Sequence, residues 1–242
     1  MQQSKLKNRL MSGNGNTLRK RGGGRGREFC AGVAFLFLAV CGAEAGTWTV
    51  KPWKSDADLP TPAPDTVTQA IAFGKDKEPP APAPFEITDG ISGTNWAVLR
   101  YPEQTASVAV RRRGEKQVER MKLSGKGVVL FKGLIFSKGE KGGLSLELSG
   151  LEPGKTYDLA LFGMGFMGAR LEGSQEVNLS ASDNPDATET IDMSETGGGA
   201  HFFVYEYVAP SDGTLTVDLK NSETNMSGGS IRLCAFLNYR VK

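Results

Sequence analysis

Apolar and polar side chains alternate in short runs along most of this chain, and turn-forming residues separate the runs. The alternation is clearest at Leu144, Leu146 and Leu148, which interleave with polar residues, and it resumes at residues 157–161. A period of two is typical of a β-strand with one buried face. The pattern therefore predicts an all-β chain folded as an antiparallel sandwich or barrel. Further strands are predicted at residues 47–50, 67–73, 85–87, 96–99, 107–110, 176–181, 201–208, 214–219 and 231–241.

Turn-forming residues mark several of the boundaries between these runs. The segment 152–155 (Glu-Pro-Gly-Lys) has proline and glycine at the positions that a type II turn requires. Asp212-Gly213 predicts a hairpin between the runs at 201–208 and 214–219. Residues 128–136 are apolar apart from Lys132 and Gly133, so a buried strand and a short buried helix both remain open there.

The first 45 residues follow a different pattern. Eight lysines and arginines precede an apolar run of 13 residues at 29–41, and Ala43-Glu44-Ala45 follows shortly after. This order is typical of a secretory signal peptide, and the run is shorter than the roughly 20 residues that span a membrane as a helix. We therefore predict a signal peptide over 1–45, cleaved between Ala45 and Gly46, and a single β domain over 46–242. An uncleaved anchor and a lipoprotein modified at Cys41 remain alternatives.

Removing this leader changes the charge balance of the chain. The full sequence has 29 Lys and Arg against 27 Asp and Glu, and residues 46–242 retain 21 basic and 25 acidic residues. A nucleic-acid partner is not expected, because binding to phosphates requires a basic surface. The predicted location is secreted, periplasmic or at the cell surface, with no stable membrane span in the mature chain.

The residue types that carry most enzyme chemistry are sparse. His201 is the only histidine, and no nucleophile elbow of the G-x-S-x-G type accompanies it, so a structural role is expected. Cys234 is the only cysteine beyond the leader and lies in an apolar run, which predicts a small buried hydrophobe. Residues 163–168 fit G-x-G-x-x-G, but no helix is predicted after them, so we interpret them as a glycine-rich loop. We expect no enzyme and no organic cofactor.

Calcium is the metal that the sequence leaves open, in a structural role. Asp56 and Asp58 form one candidate pair, and Asp183-Asn184-Pro185-Asp186 offers further oxygen ligands. Neither segment has the spacing of an EF-hand loop. Asp and Asn also favour turns without any metal, which is the competing interpretation.

Four segments give the chain a resemblance to known proteins. Residues 53–58 (Trp-Lys-Ser-Asp-Ala-Asp) and 66–74 resemble the opening of secreted bacterial jelly-roll modules, 148–157 resembles their L-x-G-L-x-P-G-x-x-Y step, and 205–217 resembles their closing strands. The chain is similar to galactose-binding-like and carbohydrate-binding-module sandwiches. This resemblance implies a jelly-roll β-sandwich with a sugar-binding or adhesive role in the cell envelope.

The function predicted from these observations is an exported, non-catalytic module that binds a glycan or another envelope component. Sugar sites commonly combine exposed aromatic rings with hydrogen-bonding groups. The predicted ligand-binding residues are Trp53, Asn95, Trp96 and Arg170, although both tryptophans could instead belong to the core. The predicted partner is a polysaccharide or an envelope protein. The alternatives are a structural or adhesive envelope protein without a small ligand and, less favoured, a glycoside hydrolase.

Overall fold

The computed structural model describes residues 46–74, 80–100, 110–112, 124–138, 142–163, 176–192, 200–222 and 230–241. Within these residues no helix is long and apolar enough to cross a membrane. The three 3₁₀ helices of this part of the chain are η1 (Asp56–Asp58), η2 (Pro64–Thr66) and η3 (Lys126–Phe131). Its strands are β1 (Thr47–Trp53), β2 (Val67–Phe73), β3 (Glu86–Thr88), β4 (Ser92–Gly93), β5 (Trp96–Arg100), β6 (Val110–Arg112), β7 (Gly133–Lys138), β8 (Gly143–Leu148), β9 (Thr156–Gly163), β10 (Glu176–Ala181), β11 (Asn184–Asp192), β12 (Ala200–Val208), β13 (Leu215–Asn221) and β14 (Ser230–Arg240).

The described strands form two sheets that pack face to face. Sheet A has the order β1-β12-β9-β14-β2-β3, and β7 extends it by pairing with both β14 and β6. Sheet B has the order β11-β10-β13-β8-β5-β4. The paired strands are antiparallel except for β2 and β3, which run parallel. The predicted antiparallel β-sandwich is therefore confirmed.

The core between the sheets comes from the inward positions of the alternating runs. Leu144, Leu146 and Leu148 of β8 are each at most 1% exposed, as the alternation predicted. They belong to one cluster with Leu161 of β9 and Phe236 of β14, so both sheets contribute to it. Burial of such side chains contributes about 1.5–3 kcal/mol each and holds the two sheets together.

A second apolar cluster, called here the outer cluster, lies on the opposite face of sheet A. Successive residues of a strand point to opposite faces, so Leu237 lies on this face because its neighbour Phe236 faces sheet B. Leu130 and Phe131 of η3 belong to the cluster, and Ala81 of residues 80–84, called here the proline-rich loop, packs against it, so both segments cover this face. Its buried members are Trp53, Ala70, Ala72, Phe85, Leu130, Phe131, Leu134, Ala160, Phe162, Phe202, Val204, Cys234, Ala235 and Leu237.

Strand β14 is consequently buried on both faces. Each residue from Leu233 to Leu237 is 0% exposed. This explains why the sequence there is a continuous apolar run rather than an alternating one. The expectation that Cys234 is a buried small hydrophobe is confirmed.

The apolar segment 128–136 is neither a single strand nor a single helix. It divides between η3, which ends at Phe131, and β7, which begins at Gly133. A side chain at Gly133 would collide with the backbone of Phe73 in β2. Glycine therefore allows β7 to start close against β2.

Two of the predicted turns connect different sheets. The segment 152–155 is a turn, in which the Lys155 N–H donates to the Glu152 carbonyl at 3.2 Å and Gly154 has a φ of 75°. The hairpin predicted at Asp212-Gly213 is wrong, because β12 belongs to sheet A and β13 to sheet B. The Gly213 carbonyl instead accepts from the Leu151 N–H at 3.1 Å, which joins the two turns.

Strand β11 has no counterpart among the predicted strands. Its sequence is polar, and most of its described side chains are exposed. It occupies the edge of sheet B, where Pro185 needs no ladder partner on its open side. The sequence pattern did not predict this strand, because an edge strand that buries little apolar surface has no regular alternation of apolar and polar residues.

Candidate functional site

The outer face of sheet B is polar, in contrast to the outer face of sheet A. The inward residues of β8, β10 and β13 are apolar and buried, so the alternate residues point to solvent. Cross-strand pairing places these polar residues next to one another. The outward side chains of these three strands include Ser145, Glu147, Asn178, Ser180, Thr216, Asp218 and Lys220.

A groove of about 430 Å³ lies at one end of this face, and we call it the sheet B groove. Residues of β4, β5, β8 and β13 and of their adjoining loops border it. Its rim and floor offer hydroxyl groups and one carboxylate as hydrogen-bonding partners. The lining residues are Gly93, Thr94, Trp96, Ala97, Glu147, Leu148, Ser149, Thr214 and Thr216.

Strand register brings the central residues of the groove together. Ala97 of β5 lies opposite Glu147 of β8, and Glu147 lies opposite Thr216 of β13. Neighbouring strands are spaced about 4.8 Å apart, so these three positions form a row across the sheet. The Thr216 N–H donates to the Ser182 hydroxyl at 3.0 Å, which fixes the β13 end of the row.

Glu147 is the only residue with a formal charge among the described residues that line the groove. It is exposed, and no side chain in the described part of the chain forms an ion pair or a hydrogen bond with its carboxylate. Ala97 beside it has only a methyl group, which leaves the carboxylate accessible. A carboxylate is purely an acceptor and can receive several hydroxyl donors.

A buried amide network supports the loops beside the groove. The side chain of Asn238, which is 0% exposed, donates to Gln69 Oε1 at 2.9 Å and to Thr68 Oγ1 at 2.8 Å. Gln69 Nε2 in turn lies 3.2 Å from the carbonyl oxygens of both Asn95 and Ser149 and donates to them. The network therefore links sheet A to the two loops that meet at the groove.

The network continues to the aromatic residues of sheet A. The Tyr207 hydroxyl donates to Asn238 Oδ1 at 2.9 Å, and burial raises the pKa of that hydroxyl above its usual range. The tyrosine consequently remains a neutral donor at all physiological pH values. Buried polar groups of this kind specify one arrangement when every partner is satisfied.

Two of the predicted ligand-binding residues lie at this end of the molecule. Trp96 borders the groove and is half-buried, with its ring at 6.0 Å from Phe73 and 5.6 Å from Phe236 in edge-on arrangements. Asn95 is exposed, and its carbonyl accepts the Ser149 N–H at 3.0 Å. Trp96 thus lines the groove, whereas Asn95 adjoins the lining residues Thr94, Trp96 and Ser149, and a ligand contact for either remains a prediction.

A third predicted residue, Trp53, lies in the core rather than at this groove. Trp53 is 1% exposed in the outer cluster, with ring distances of 4.6 Å to Phe131 and 5.7 Å to Phe162. Its indole N–H donates to the Ser55 carbonyl at 2.8 Å. This burial removes Trp53 from the candidate binding surface and matches the core alternative. Arg170 lies outside the described residues, as does Ala45 of the predicted cleavage site, whereas Gly46 immediately precedes β1.

The calcium candidates Asp56 and Asp58 bind backbone N–H groups. The two carboxylate oxygens of Asp56 accept from Lys126 and Gly127, both at 2.7 Å. Asp58 accepts from the N–H groups of Lys54 and Ser55 at 2.8 and 2.9 Å, and these bonds hold the pKa of its carboxyl below the usual value. Among the described residues no group of three or more His, Cys, Asp or Glu is placed to hold a metal ion. Calcium binding remains a prediction.

No pattern in the sequence distinguishes Glu147, Thr214 or Thr216 as binding residues. Each occupies a position that alternates with a core residue or adjoins a turn, as ordinary solvent-facing residues do. The groove combines residues 93–97 with residues 147–149 and 214–216, and only strand pairing brings these segments together.

Comparisons with known proteins complete the description. No protein-family model matches the chain, and no curated protein matches it. Solved structures do: the CBM22-1 xylan-binding domain of Paenibacillus barcinonensis Xyn10C matches with 13% identity and a TM-score of 0.40, over 63% of this chain and 90% of that one. The ANXUR1 extracellular domain of Arabidopsis thaliana matches with 12% identity and a TM-score of 0.46, over 72% of this chain and 48% of that one. The enzymatically active domain of bacteriophage CBA120 tailspike protein 4 matches with 12% identity and a TM-score of 0.39, over 63% of this chain and 20% of that one.

Proposed function

We propose that this chain is an exported, non-catalytic module that binds a carbohydrate in the sheet B groove. The observation that carries the proposal is the row of hydrogen-bonding side chains held in register across β8 and β13. Carbohydrates present many hydroxyl groups, and their recognition requires several convergent polar partners on a concave surface. Thr94, Glu147, Ser149, Thr214 and Thr216 offer such partners within one groove.

The scaffold of the groove favours binding because it is rigid before any ligand arrives. Glu147 and Thr216 are on paired strands of one sheet, and Ser149 adjoins the buried amide network through its carbonyl. A preformed site loses less conformational entropy on binding than a flexible loop does. Trp96 contributes one wall, packed from behind by Phe73 and Phe236.

A glycan array probed with the purified chain lacking residues 1–45 tests the proposal, followed by titration calorimetry on the glycans retained. The variant Thr214→Ala/Thr216→Ala removes two hydroxyls from the groove, and we expect it to weaken binding about tenfold or more. Ser180→Ala, on the same face but on β10, is the matched control and should bind like the wild type. A titration of Trp96→Ala and Arg170→Ala tests two of the three remaining residues predicted from the sequence.

The alternative is a structural or adhesive envelope protein without a small ligand. A folded wild type that retains no glycan would overturn the carbohydrate proposal and favour this alternative. Retained binding in the double threonine variant would place the glycan elsewhere on the molecule. Release of reducing sugar during incubation with the retained glycans would contradict the non-catalytic assignment.

A further inference from the structure

We infer that the sheet B groove selects neutral carbohydrates over acidic ones, with Glu147 as the residue that determines this selectivity. The inference rests on the proposed function and deepens it by naming the ligand class. Neutral carbohydrates here are those without carboxylate, sulfate or phosphate groups. This selectivity follows from the charges that face the groove.

Among the described residues, the charges at the groove are negative. Glu147 lines it, and Asp212 adjoins the lining residue Thr214, whose N–H donates to Asp212 Oδ1 at 3.0 Å. That hydrogen bond also holds the pKa of the Asp212 carboxyl below its usual value, so the group remains ionised near neutral pH. Two acceptor-only groups therefore flank the same stretch of β13 and its preceding turn.

The nearest described cations on these strands are remote or already paired. Lys220 follows Thr216 by four residues on β13, which is about 13 Å along a strand. Its ammonium group is 3.6 Å from the Asp218 carboxylate, which offsets its charge. Arg100 follows Ala97 by three residues on β5, about 10 Å along the strand. Neither residue lines the groove.

This arrangement treats the two ligand classes differently. A neutral sugar can donate hydroxyl hydrogens to the Glu147 carboxylate, and hydrogen bonds to an ionised acceptor are among the stronger ones. An acidic sugar brings a second anion that can donate nothing to Glu147 and repels it. Two like charges about 4 Å apart in water repel enough to change affinity about fivefold, and less at high salt.

The test uses an array that carries neutral oligosaccharides together with uronic, sialylated and sulfated ones. Wild type, Glu147→Gln and Glu147→Lys are compared at low and at high salt. The exposed Glu189→Gln on the edge strand β11 is the matched control, since it removes one negative charge away from the groove. Thermal unfolding of each variant confirms that it is folded.

We expect the wild type to retain neutral oligosaccharides and to bind acidic ones at least about fivefold more weakly at low salt. Glu147→Gln should reduce this preference, Glu147→Lys should reverse it, and Glu189→Gln should leave it unchanged. Acidic oligosaccharides that bind the wild type as tightly as neutral ones would overturn this inference while the proposed function stands. An array on which the wild type retains nothing would overturn the proposed function and this inference together. If the preference for neutral over acidic oligosaccharides is the same in all variants, Glu147 does not determine the selectivity.

Discussion

The outer faces of the two sheets differ in what covers them. The outer face of sheet A carries the outer cluster, which η3 and the proline-rich loop shield from water. The outer face of sheet B carries hydroxyl, amide and carboxylate groups and includes the groove. The same strand geometry thus produces a third packed layer on one side and a solvated surface on the other. A sheet needs only one buried face for stability, which leaves the second face free to serve binding.

The cover of sheet A is held by a small number of polar anchors. Asp56 accepts two N–H groups at the start of η3, and the Ser124 N–H donates to the Lys54 carbonyl at 3.1 Å. These bonds tie the segment after β1 to the segment before β7. Sheet A is therefore stabilised by the layer that covers its outer face. Substitutions on the outer face of sheet B should instead mainly affect what the protein binds.

The largest expected loss of stability follows from a substitution in the outer cluster of sheet A. Trp53→Ala should lower the free energy of unfolding by about 3–5 kcal/mol, because it empties a site packed against Phe131 and Phe162. Thr216→Ala on the other face should change it by no more than about 0.5 kcal/mol. Urea denaturation followed by circular dichroism measures both. Equal losses in the two variants would contradict the distinction between the faces.

An intermediate loss of stability is expected in the buried amide network, which links sheet A to the loops of sheet B. Asn238→Ala should cost about 2–3 kcal/mol, because it leaves the Gln69 and Tyr207 groups buried with fewer partners. Tyr207→Phe removes one hydroxyl and should cost about 1 kcal/mol. The midpoint of denaturant unfolding measures both losses. If Asn238→Ala is as stable as the wild type, the network does not join the sheets in the way described.

A smaller effect is expected from an anchor of the cover. Asp56→Ala removes the acceptor of two backbone N–H groups and should cost about 1 kcal/mol, by analogy with the loss of a helix cap. Asp56→Asn retains one side-chain oxygen and should cost less. The hydrogen-exchange rates of the Lys126 and Gly127 amides measure the local loss of protection. Unchanged protection of both amides in Asp56→Ala would show that the anchor is dispensable.

The smallest expected effect is on the stability of the protein at acid pH. Backbone N–H groups of Lys54 and Ser55 hold the pKa of Asp58 below its ordinary value in the folded protein. A lowered folded pKa stabilises the protein above the unfolded pKa of about 3.9, and this stability is lost as the pH falls through the folded pKa. Asp58→Asn should therefore flatten the dependence of the unfolding midpoint on pH below about 4. A variant with the same acid dependence as the wild type would show that Asp58 makes no contribution.

The sequence by itself determined the local properties of this protein. Alternation at Leu144, Leu146 and Leu148 predicted β8, and the glycine at position 154 marked a turn. The continuous apolar run around Cys234 indicated burial. These features depend on residues within a few positions of one another. A period of two and the freedom of glycine at positive φ are properties of the local backbone, so they can be read without knowing the partners.

Tertiary structure alone decided which strands pair and which surfaces remain open. Asp212-Gly213 has the sequence of a hairpin turn, yet it passes from sheet A to sheet B, because β12 pairs with β1 and β9 whereas β13 pairs with β10 and β8. Trp53 and Trp96 both adjoin predicted loops, but only the cover of sheet A buries the first completely. Glu147 and Thr216 become neighbours through the pairing of β8 with β13. Such pairings join residues far apart in the chain, and the total burial that selects one register over another is a property of the whole fold.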